Sequence, residues 1–260
     1  MTDNMFDLLN KFNEITEKSW IKGVNNTLSG VGMTFENELG KKPDSDPFPD
    51  FKDIEIKCSQ RFSNYPLRLF GQAFDGPHLF EVNHILQKYG KPYIKDNNRK
   101  KLVVYLKYNE KVLVDNQYYF KLTICNTSEK LYIEIYDLEN NLLDKPFIEF
   151  STIKNHLDLK LKYLALVMAS KRNIFNQNYF RYYEITIYEL KSLQKFISLI
   201  EHHVIELEIE CRMSNFDSKQ RNKGILFKIK KDKLNYLFNE VVRYNSDDKQ
   251  VIFNSTYYFK

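Results

Sequence analysis

Residues 49–57 read Pro49-Asp50-Phe51-Lys52-Asp53-Ile54-Glu55-Ile56-Lys57. If this stretch is a β-strand, Glu55 and Lys57 share one face, while Ile54 and Ile56 point to the opposite face and into a core. Asp50 stands five positions before Glu55, at the beginning of the strand or across a tight turn. The arrangement can therefore bring two carboxylates and an ammonium group to one point.

Two hard oxygen ligands at one position suit Mg²⁺, which keeps several waters and bridges to phosphate. A metal ion held there would acidify a bound water and neutralise charge on a phosphodiester, and the lysine would position the attacking water or stabilise the pentavalent phosphorane. A nuclease needs this chemistry. The same pattern also fits a surface strand with a Glu–Lys face, because a chain rich in Asp, Glu and Lys matches such spacings by chance.

The composition is that of a globular protein. Hydrophobic residues make up 43% of the 260 residues and charged residues 28%, which excludes a disordered chain. The longest apolar stretches, such as residues 164–169, are far shorter than a membrane span, and residues 1–7 lack the apolar core of a signal peptide. We therefore expect a cytoplasmic protein without a membrane association.

Cysteine and histidine do not indicate a disulfide framework or a zinc site. The three cysteines are widely spaced and form no Cys-x-x-Cys pair. The adjacent His202 and His203 point in different directions on a helix or a strand. Polar residues at a helix end are therefore the favoured interpretation over metal ligands.

Positive charge is concentrated in the C-terminal part of the sequence. Residues 1–50 contain five basic and nine acidic residues, although the whole chain carries +5. Residues 212–233 contain eight Lys or Arg against two Asp. This window indicates a surface for a polyanion such as a nucleic acid, and a solvated charged face fits it equally well.

Hydrophobic periodicity and turn residues predict a mixture of helices and strands. The expected helices cover residues 6–20, 35–39 (with Thr34 as N-cap and Gly40 after the end), 77–89, 151–159, 190–202 and 234–244. The expected strands cover residues 50–58, 102–108, 118–125, 131–136, 163–169, 181–188, 204–213 and 225–230. Because the order has no β-α-β rhythm, the predicted fold class is mixed α+β (α/β).

A second motif stands upstream of the first. It reads Gly30-Val31-Gly32-Met33-Thr34-Phe35-Glu36-Asn37-Glu38-Leu39-Gly40 and is followed by a short loop and residues 49–57. In this order the motifs resemble the MvaI/BcnI group of restriction endonucleases, relatives of the mismatch-repair nickase MutH in the nuclease superfamily that carries Pro-Asp…(Asp/Glu)-x-Lys. Residues 159–165 and 205–228 also resemble elements of the group, so the resemblance extends over nearly the whole chain.

The resemblance implies a restriction-endonuclease-like core, with a mixed central sheet flanked by helices, in two closely packed lobes. Residues 1–110 would form a catalytic lobe with the metal site, and strands at about 160–190 would complete its core. Residues 111–260 would form the remainder, including a C-terminal DNA-recognition element at about 204–233.

The resemblance also implies a role for each catalytic residue. Asp50 and Glu55 would be metal ligands, with the backbone carbonyl of Ile56 as a further candidate ligand. Lys57 would be the catalytic lysine, and Glu36 would be an additional acidic residue that supports the metal site. The expected cofactor is Mg²⁺, for which Mn²⁺ could substitute.

Some positions depart from the group's pattern or are not selected by it. Cys58 stands where Thr or Ser is common and is expected to face the core side. Glu38 and Asp53 are carboxylates outside the pattern and are expected to be surface residues. Members of the group read G·C pairs with a loop that contains His and Arg, whereas residues 212–233 contain no His. The recognition sequence is therefore not transferred to this chain.

The basic window contains the candidates for DNA contact. Three lysines expected on a strand would bind phosphates: Lys228, Lys230 and Lys231. Residues expected in the preceding polar loop have donors and acceptors that can read base edges in the major groove: Arg212, Asn215, Asp217, Lys219, Gln220, Arg221 and Lys223.

The leading hypothesis is a type II restriction endonuclease that hydrolyses double-stranded DNA at a short (pseudo)palindromic site. It would act as a monomer beside a cognate DNA methyltransferase, without needing physical attachment to it. A MutH-like nicking endonuclease of mismatch repair is the alternative enzyme. A non-catalytic nucleic-acid-binding module, which would stack bases on its many Phe and Tyr side chains, is the alternative of another class. The complete catalytic set favours a nuclease, because a binding module has no need of it.

Overall fold

The computed structural model describes residues 1–41, 48–77, 82–93, 96–213 and 220–253. In these ranges the chain forms six α-helices: α1 (Asp3–Glu17), α2 (Gly30–Glu38), α3 (Val82–Tyr89), α4 (Phe150–Lys160), α5 (Leu193–Glu201) and α6 (Leu234–Leu237). A 3-10 helix, η1 (Lys231–Lys233), precedes α6. The remaining regular structure is β-strand, and the predicted mixed α+β class is confirmed.

Two compact units divide the described residues. The first unit comprises those of Met1–Tyr65, Leu157–Lys191 and Asn235–Lys260, and the second those of Pro66–His156 and Ser192–Leu234. The sequence predicted a boundary at residue 110, whereas the first segment of the first unit ends at Tyr65. The reason is that strands between residues 66 and 110 pair with strands of the second unit.

One sheet forms the centre of the first unit. Its strands in the described chain are β1 (Ile21–Lys22), β2 (Ile54–Gln60), β11 (Tyr163–Ile174), β12 (Gln177–Leu190), β15 (Phe238–Asn245) and β16 (Gln250–Phe253). The order is β16-β15-β12-β11-β2, with β1 paired to β12. Strands β2 and β11 run parallel, and the other pairs are antiparallel. The sheet is therefore mixed, as expected for the catalytic core.

Helix α1 packs on this sheet through one apolar face. Met5, Leu8, Phe12 and Ile15 are all buried and recur every three or four residues, as a helical stripe requires. The ring of Phe12 lies 6.2 Å from that of Phe35 in α2. Each such side chain stabilises the fold by about 1.5–3 kcal/mol. The helix predicted at residues 6–20 is confirmed, with both ends three residues earlier.

Helix α2 begins earlier than predicted. Ser29 occupies its N-cap position, so the prediction of Thr34 as N-cap is wrong. Thr34 is buried inside the helix, where its hydroxyl donates to the Gly30 carbonyl at 2.7 Å and accepts the Val24 N–H at 3.1 Å. A buried threonine whose hydroxyl is satisfied in this way is compatible with a helix interior. Gly40 follows the helix with φ of +80°, which agrees with its predicted place.

The last helix predicted, over residues 234–244, is wrong beyond Leu237. Helix α6 ends there and β15 begins at Phe238, paired antiparallel with β12. Val241 and Val242 are buried, and β-branched side chains of this kind favour strands. Pairing with a strand distant in sequence therefore overrides the apolar spacing that indicated a helix.

The second unit contains two antiparallel sheets. The first has the order β3 (Leu67–Gln72), β14 (Gln220–Ile229), β13 (Ile205–Met213), β5 (Asp96–Leu106) and β4 (Lys91–Tyr93). The second is built from β10 (Phe147–Glu149), β8 (Lys130–Tyr136), β7 (Tyr118–Cys125) and β6 (Lys111–Val114), with β9 (Leu142–Asp144) paired to β8. Phe70 in β3 stacks on Phe227 at 4.7 Å and on Phe196 of α5 at 5.7 Å between ring centroids.

Gly224 occupies an irregular position in β14. The register between β13 and β14 shifts between Ile209 and Cys211, as in a β-bulge, and Gly224 has φ of +68°. A Cβ atom at Gly224 would lie 2.3 Å from the backbone oxygen of Gln72 in β3. Glycine is thus required both by the backbone conformation and by the approach of the neighbouring strand.

We predict different stability losses for Gly224→Ala and Gly40→Ala. Both residues have positive φ, which costs an L-residue roughly 1–2 kcal/mol, but only Gly224 also has backbone in contact, since nothing lies within 4 Å of a Cβ at Gly40. Gly224→Ala should therefore reduce the free energy of unfolding at least twice as much. Urea denaturation followed by circular dichroism measures both variants, and equal losses would contradict the proposed role of the Gln72 contact.

Candidate active site

A tight turn places Asp50 beside the strand that carries Glu55. Phe51 and Ile54 exchange two backbone hydrogen bonds of 3.0 and 2.8 Å, and Lys52 between them has φ of +53°. The turn returns the chain, and the backbone N–H of Ile56 donates to Asp50 Oδ2 at 3.1 Å. The sequence allowed Asp50 to lie either at the beginning of the strand or across a tight turn, and the structure shows the turn.

Strand β2 places Glu55 and Lys57 on the same face. The side chain of Glu55 is 2% exposed and accepts a hydrogen bond from the ammonium group of Lys57, which is 21% exposed. On the other face, Ile54 and Ile56 are buried in the core. Cys58 follows on that face and packs against the same core, as expected.

Two further lysines form ion pairs with the two carboxylates. Lys41 Nζ lies 2.9 Å from Asp50 Oδ1, and the backbone N–H of Lys41 donates to the carbonyl of Glu36 at the end of α2. Lys160, the last residue of α4, lies 3.6 Å from Glu55 Oε2. Neither Lys41 nor Lys160 was predicted from the sequence to belong to the site. Lys160 stands inside a segment recognised as a family element, which was the available signal.

Glu36 faces the same region from helix α2. Its side chain is half-buried, and a Cβ at Gly32, one turn earlier, would lie 3.7 Å from Glu36 Oε1. Burial and the charges of Glu36 and Asp50 raise the pKa of the Cys58 thiol well above its usual value. Both carboxylates therefore act electrostatically on one thiol, that of Cys58.

The pKa values of the Asp50 and Glu55 carboxyl groups are shifted in opposite directions. Burial raises the pKa of Asp50, but the Lys41 hydrogen bond, the Lys57 charge and the Ile56 amide lower it below its usual value. Burial, with the charge of Asp50, raises the pKa of Glu55 in spite of Lys57 and Lys160. Glu55 is therefore a carboxylate whose charge the folded chain does not fully compensate.

The residues present fit a divalent cation bound by oxygen. Glu55 Oε2 is buried and accepts no hydrogen bond, so an acceptor remains for a cation. No group of three or more His, Cys, Asp or Glu side chains in the described residues could hold a metal ion. A metal ion at Asp50 and Glu55 would complete its shell with backbone oxygen and water, which Mg²⁺ accepts readily.

The residues predicted to read bases are not all in a loop. Arg212 lies in β13, and the backbones of Gln220, Arg221 and Lys223 lie in β14, because the two strands continue to pair beyond Gly224. Asn215, Asp217 and Lys219 lie outside the described residues. Arg212 Nη2 is 3.9 Å from Glu210 Oε1, and the Arg212 side chain is 46% exposed.

The three lysines predicted to bind phosphate differ from one another. Lys228 lies in β14, is 22% exposed and forms an ion pair with Glu208, and burial lowers its pKa. Lys230 is exposed and follows the end of β14, and Lys231 begins η1. The prediction that all three share a strand is wrong, because β14 ends at Ile229. Lys230 is thus the most accessible of the three.

Comparison with known proteins assigns the chain to a family. The family model of the MvaI/BcnI restriction endonuclease family matches residues 9–238. The chain belongs to the MvaI/BcnI restriction endonuclease family. The family resemblance inferred from residues 30–57 is confirmed, and the protein is a type II restriction endonuclease, a site-specific deoxyribonuclease. Membership of the family implies dependence on a divalent metal ion.

Two solved structures are similar over most of the chain. A restriction endonuclease MvaI–cognate DNA substrate complex is 25% identical with a TM-score of 0.83, and covers 92% of this chain and 98% of its own. Restriction endonuclease MvaI in the absence of DNA is 22% identical with a TM-score of 0.56, and covers 97% of this chain and 98% of its own. No protein with a curated description matches the sequence. In the described residues, no helix is both long and apolar enough to cross a membrane.

We predict that Glu55→Gln stabilises the metal-free protein at neutral pH. Because the pKa of Glu55 is raised in the folded state, its ionised form disfavours folding relative to a neutral amide of the same shape. The melting temperature at pH 7 should rise by a few degrees. The gain should shrink as the pH falls through the raised pKa, because the wild-type carboxyl then becomes neutral too. Thermal denaturation at pH 7 and pH 5 tests this, and a lower melting temperature at pH 7 would contradict it.

Proposed function

We propose that the protein cleaves double-stranded DNA in a Mg²⁺-dependent reaction at a site formed by Asp50, Glu55 and Lys57. The proposal rests on the convergence of these three side chains. The turn at Lys52 directs the Asp50 carboxylate to the backbone of β2. The face of β2 opposite Ile54 and Ile56 carries Glu55 and Lys57. Mn²⁺ is expected to substitute, because it accepts the same oxygen ligands.

Asp50 and Glu55 would hold the metal ion, with the carbonyl of Ile56 as a third protein ligand. When bound, the ion supplies positive charge that neutralises the phosphodiester and polarises water. Glu55 offers the oxygen that accepts no hydrogen bond, and Asp50 is kept ionised by the lysine and amide around it. Glu36 would support the site from α2 without direct ligation.

Lys57 would act on the water that attacks the phosphorus. Its ammonium group is partly exposed and bonded to Glu55, so it is held in place with donors left for a water or a phosphate oxygen. An ammonium group is compact and can approach both. Stabilising the negative charge that develops on phosphate lowers the barrier to hydrolysis.

The second unit would supply DNA recognition through its C-terminal strands. The MvaI structure with a TM-score of 0.83 is a complex with cognate DNA. This similarity supports double-stranded DNA as the substrate of the present protein. Lys230 and Lys231 would bind phosphates, and Lys228 would contribute less because Glu208 pairs with it. The residues proposed to read base edges are Arg212, Asn215, Asp217, Lys219, Gln220, Arg221 and Lys223.

The biological setting proposed is a restriction–modification system. The enzyme would act in the cytoplasm as a monomer on a short (pseudo)palindromic site. A cognate methyltransferase would protect the host DNA, and no physical complex with it is required.

We predict that Asp50→Ala and Lys57→Arg both abolish cleavage of plasmid DNA in Mg²⁺. The first removes a proposed ligand, and the second replaces a compact ammonium by a planar guanidinium that cannot take its place. Both should keep DNA affinity within a few-fold of wild type, since neither is proposed to grip the duplex. Agarose gels and filter binding measure the two properties.

The matched control is Asp53→Asn. Asp53 is a neighbouring carboxylate that accepts a hydrogen bond from Asn4 at 2.9 Å and has no proposed catalytic role. This variant should cleave at the wild-type rate. Wild-type cleavage by Asp50→Ala, or inactivity of Asp53→Asn with an unchanged melting temperature, would overturn the site assignment.

We predict that Lys230→Gln weakens binding to duplexes of any sequence and lowers the salt slope of log K by about one. Lys228→Gln should change the slope less, because its charge is already paired within the sheet. Fluorescence anisotropy with a random 40-bp duplex, at several salt concentrations, measures both. Equal effects of the two substitutions would show that the Glu208 pair opens on DNA.

A further inference from the structure

The hairpin between β11 and β12 ends in an exposed aromatic residue. The two strands pair to their ends, with Ile174 beside Gln177, so that Phe175 and Asn176 alone form the turn. Both have positive φ, 49° and 61°, as in a type I′ turn. Phe175 is 100% exposed. Its ring therefore gains nothing from packing within the described chain.

Phenylalanine is unfavourable at this position. Type I′ turns prefer Asn and Gly because these residues adopt positive φ at low cost, whereas a bulky side chain there costs roughly 1–2 kcal/mol. We take a fully exposed ring held in an unfavourable backbone conformation as an indication of contact with another molecule.

The hairpin is held rigidly by the loop that precedes α2. The Gly23 N–H donates to the Asn178 carbonyl at 2.7 Å, and Asn26 Nδ2 donates to the Asn176 carbonyl at 2.5 Å. The backbone N–H of Asn178 donates in turn to Asn26 Oδ1 at 2.9 Å. A Cβ at Gly23 would lie 2.9 Å from the ring of Phe180, so only glycine permits this approach. We call residues 20–28 together with residues 171–179 the hairpin–loop surface.

The hairpin–loop surface and the residues that adjoin it in the sequence carry only positive charge. Residues 18–35 and 170–183 contain five Lys or Arg and no Asp or Glu. Ion pairs with Glu38 and Asp247 occupy two of the five, Lys18 and Arg181. The other three are exposed, and no carboxylate of the described residues lies within ion-pair distance of them: Lys22, Lys171 and Arg172.

Two of these cations flank an aromatic ring on one face of the sheet. Tyr179 is the register partner of Lys22 in β1 and of Arg172 in β11, so the three side chains share a face. The guanidinium of Arg172 lies 4.3 Å from the ring centre of Trp20 and 5.6 Å from that of Tyr179. Stacking holds the guanidinium plane and leaves its edge to bind a phosphate oxygen.

We propose that the hairpin–loop surface binds the DNA duplex that flanks the cleaved bond. Lys22 and Arg172 would contact phosphates from one face of the hairpin and Lys171 from the other, and Phe175 would insert against the bases as an apolar wedge. Basic and amide side chains around a protruding apolar residue are the chemistry with which proteins grip and deform a duplex. The inference rests on the proposed function, because it takes the DNA to be bound at Lys57.

The distance from the candidate active site supports a flanking contact. Strand β11 passes Lys57 at Leu166 and continues to the hairpin at Phe175. Nine residues of strand span about 30 Å, which corresponds to about nine base pairs of duplex. DNA bound at the active site would thus reach the hairpin beyond a short recognition sequence.

The charge contribution is tested with the double variant Lys171→Gln/Arg172→Gln. Its affinity for a random 40-bp duplex in EDTA should fall about tenfold at low salt, and the salt slope should fall by about two. The control is Lys11→Gln, which removes an exposed lysine of α1 that pairs with Glu14. This control should change neither the affinity nor the salt slope. A double variant that behaves like this control overturns the proposal.

The wedge is tested with Phe175→Asn. Asparagine suits the positive φ of the turn, so the melting temperature should not fall, and a loss of binding cannot be attributed to unfolding. We expect the affinity for the 40-bp duplex to fall roughly fivefold or more with an unchanged salt slope, since no charge is removed. Affinity equal to wild type would overturn the role of Phe175.

Failure of the proposed nuclease function would give a different combination of cleavage and binding results. Wild-type protein would then leave plasmid DNA intact in Mg²⁺, while binding of the 40-bp duplex in EDTA would still depend on Lys171 and Arg172. If instead the plasmid is cleaved by wild type and the double variant binds like wild type, the nuclease assignment stands and the hairpin–loop surface is not a DNA contact.

Discussion

The burial of two carboxylates within electrostatic range of each other is the constraint on which the catalytic unit depends. A buried carboxylate without compensation costs several kcal/mol, so positive charge must be brought to it. Lys57 comes from the same strand, Lys41 from the chain after α2 and Lys160 from the end of α4. The chain after α2, strand β2 and the last residue of α4 are thus linked through one cluster of charge, around Asp50 and Glu55.

The lysines compensate the negative charge of Glu55 only in part, and this is relevant to function. Glu55 has a raised pKa and an oxygen that accepts no hydrogen bond, although three lysines lie near the two carboxylates. Folding alone would favour a neutral or apolar residue there. The hairpin at Phe175 presents a similar conflict, since an exposed ring stands at a backbone position suited to glycine or asparagine. Local conflicts of this kind concentrate where a protein meets its ligand.

Counting charges along the sequence does not show which cations of the second unit are accessible to DNA. The basic window indicated a polyanion surface, but Lys228 uses its charge within the sheet, where Glu208 lies on the neighbouring strand. Strand β14 also begins five residues earlier than predicted, because the bulge at Gly224 lets pairing proceed past an irregular position. A net charge over a window cannot distinguish a cation that faces solvent from one paired across a strand.

The sequence by itself determined the features that depend on near neighbours: the shared face of Glu55 and Lys57, the apolar stripe of α1 and the two motifs that identified the family. Tertiary structure decided that Asp50 arrives by a turn, that Lys160 joins Glu55, and that residues 238–245 form a strand. Periodicity records only contacts a few residues apart. These outcomes depend on pairing and ion pairs between residues distant in the chain, whose energies no local pattern contains.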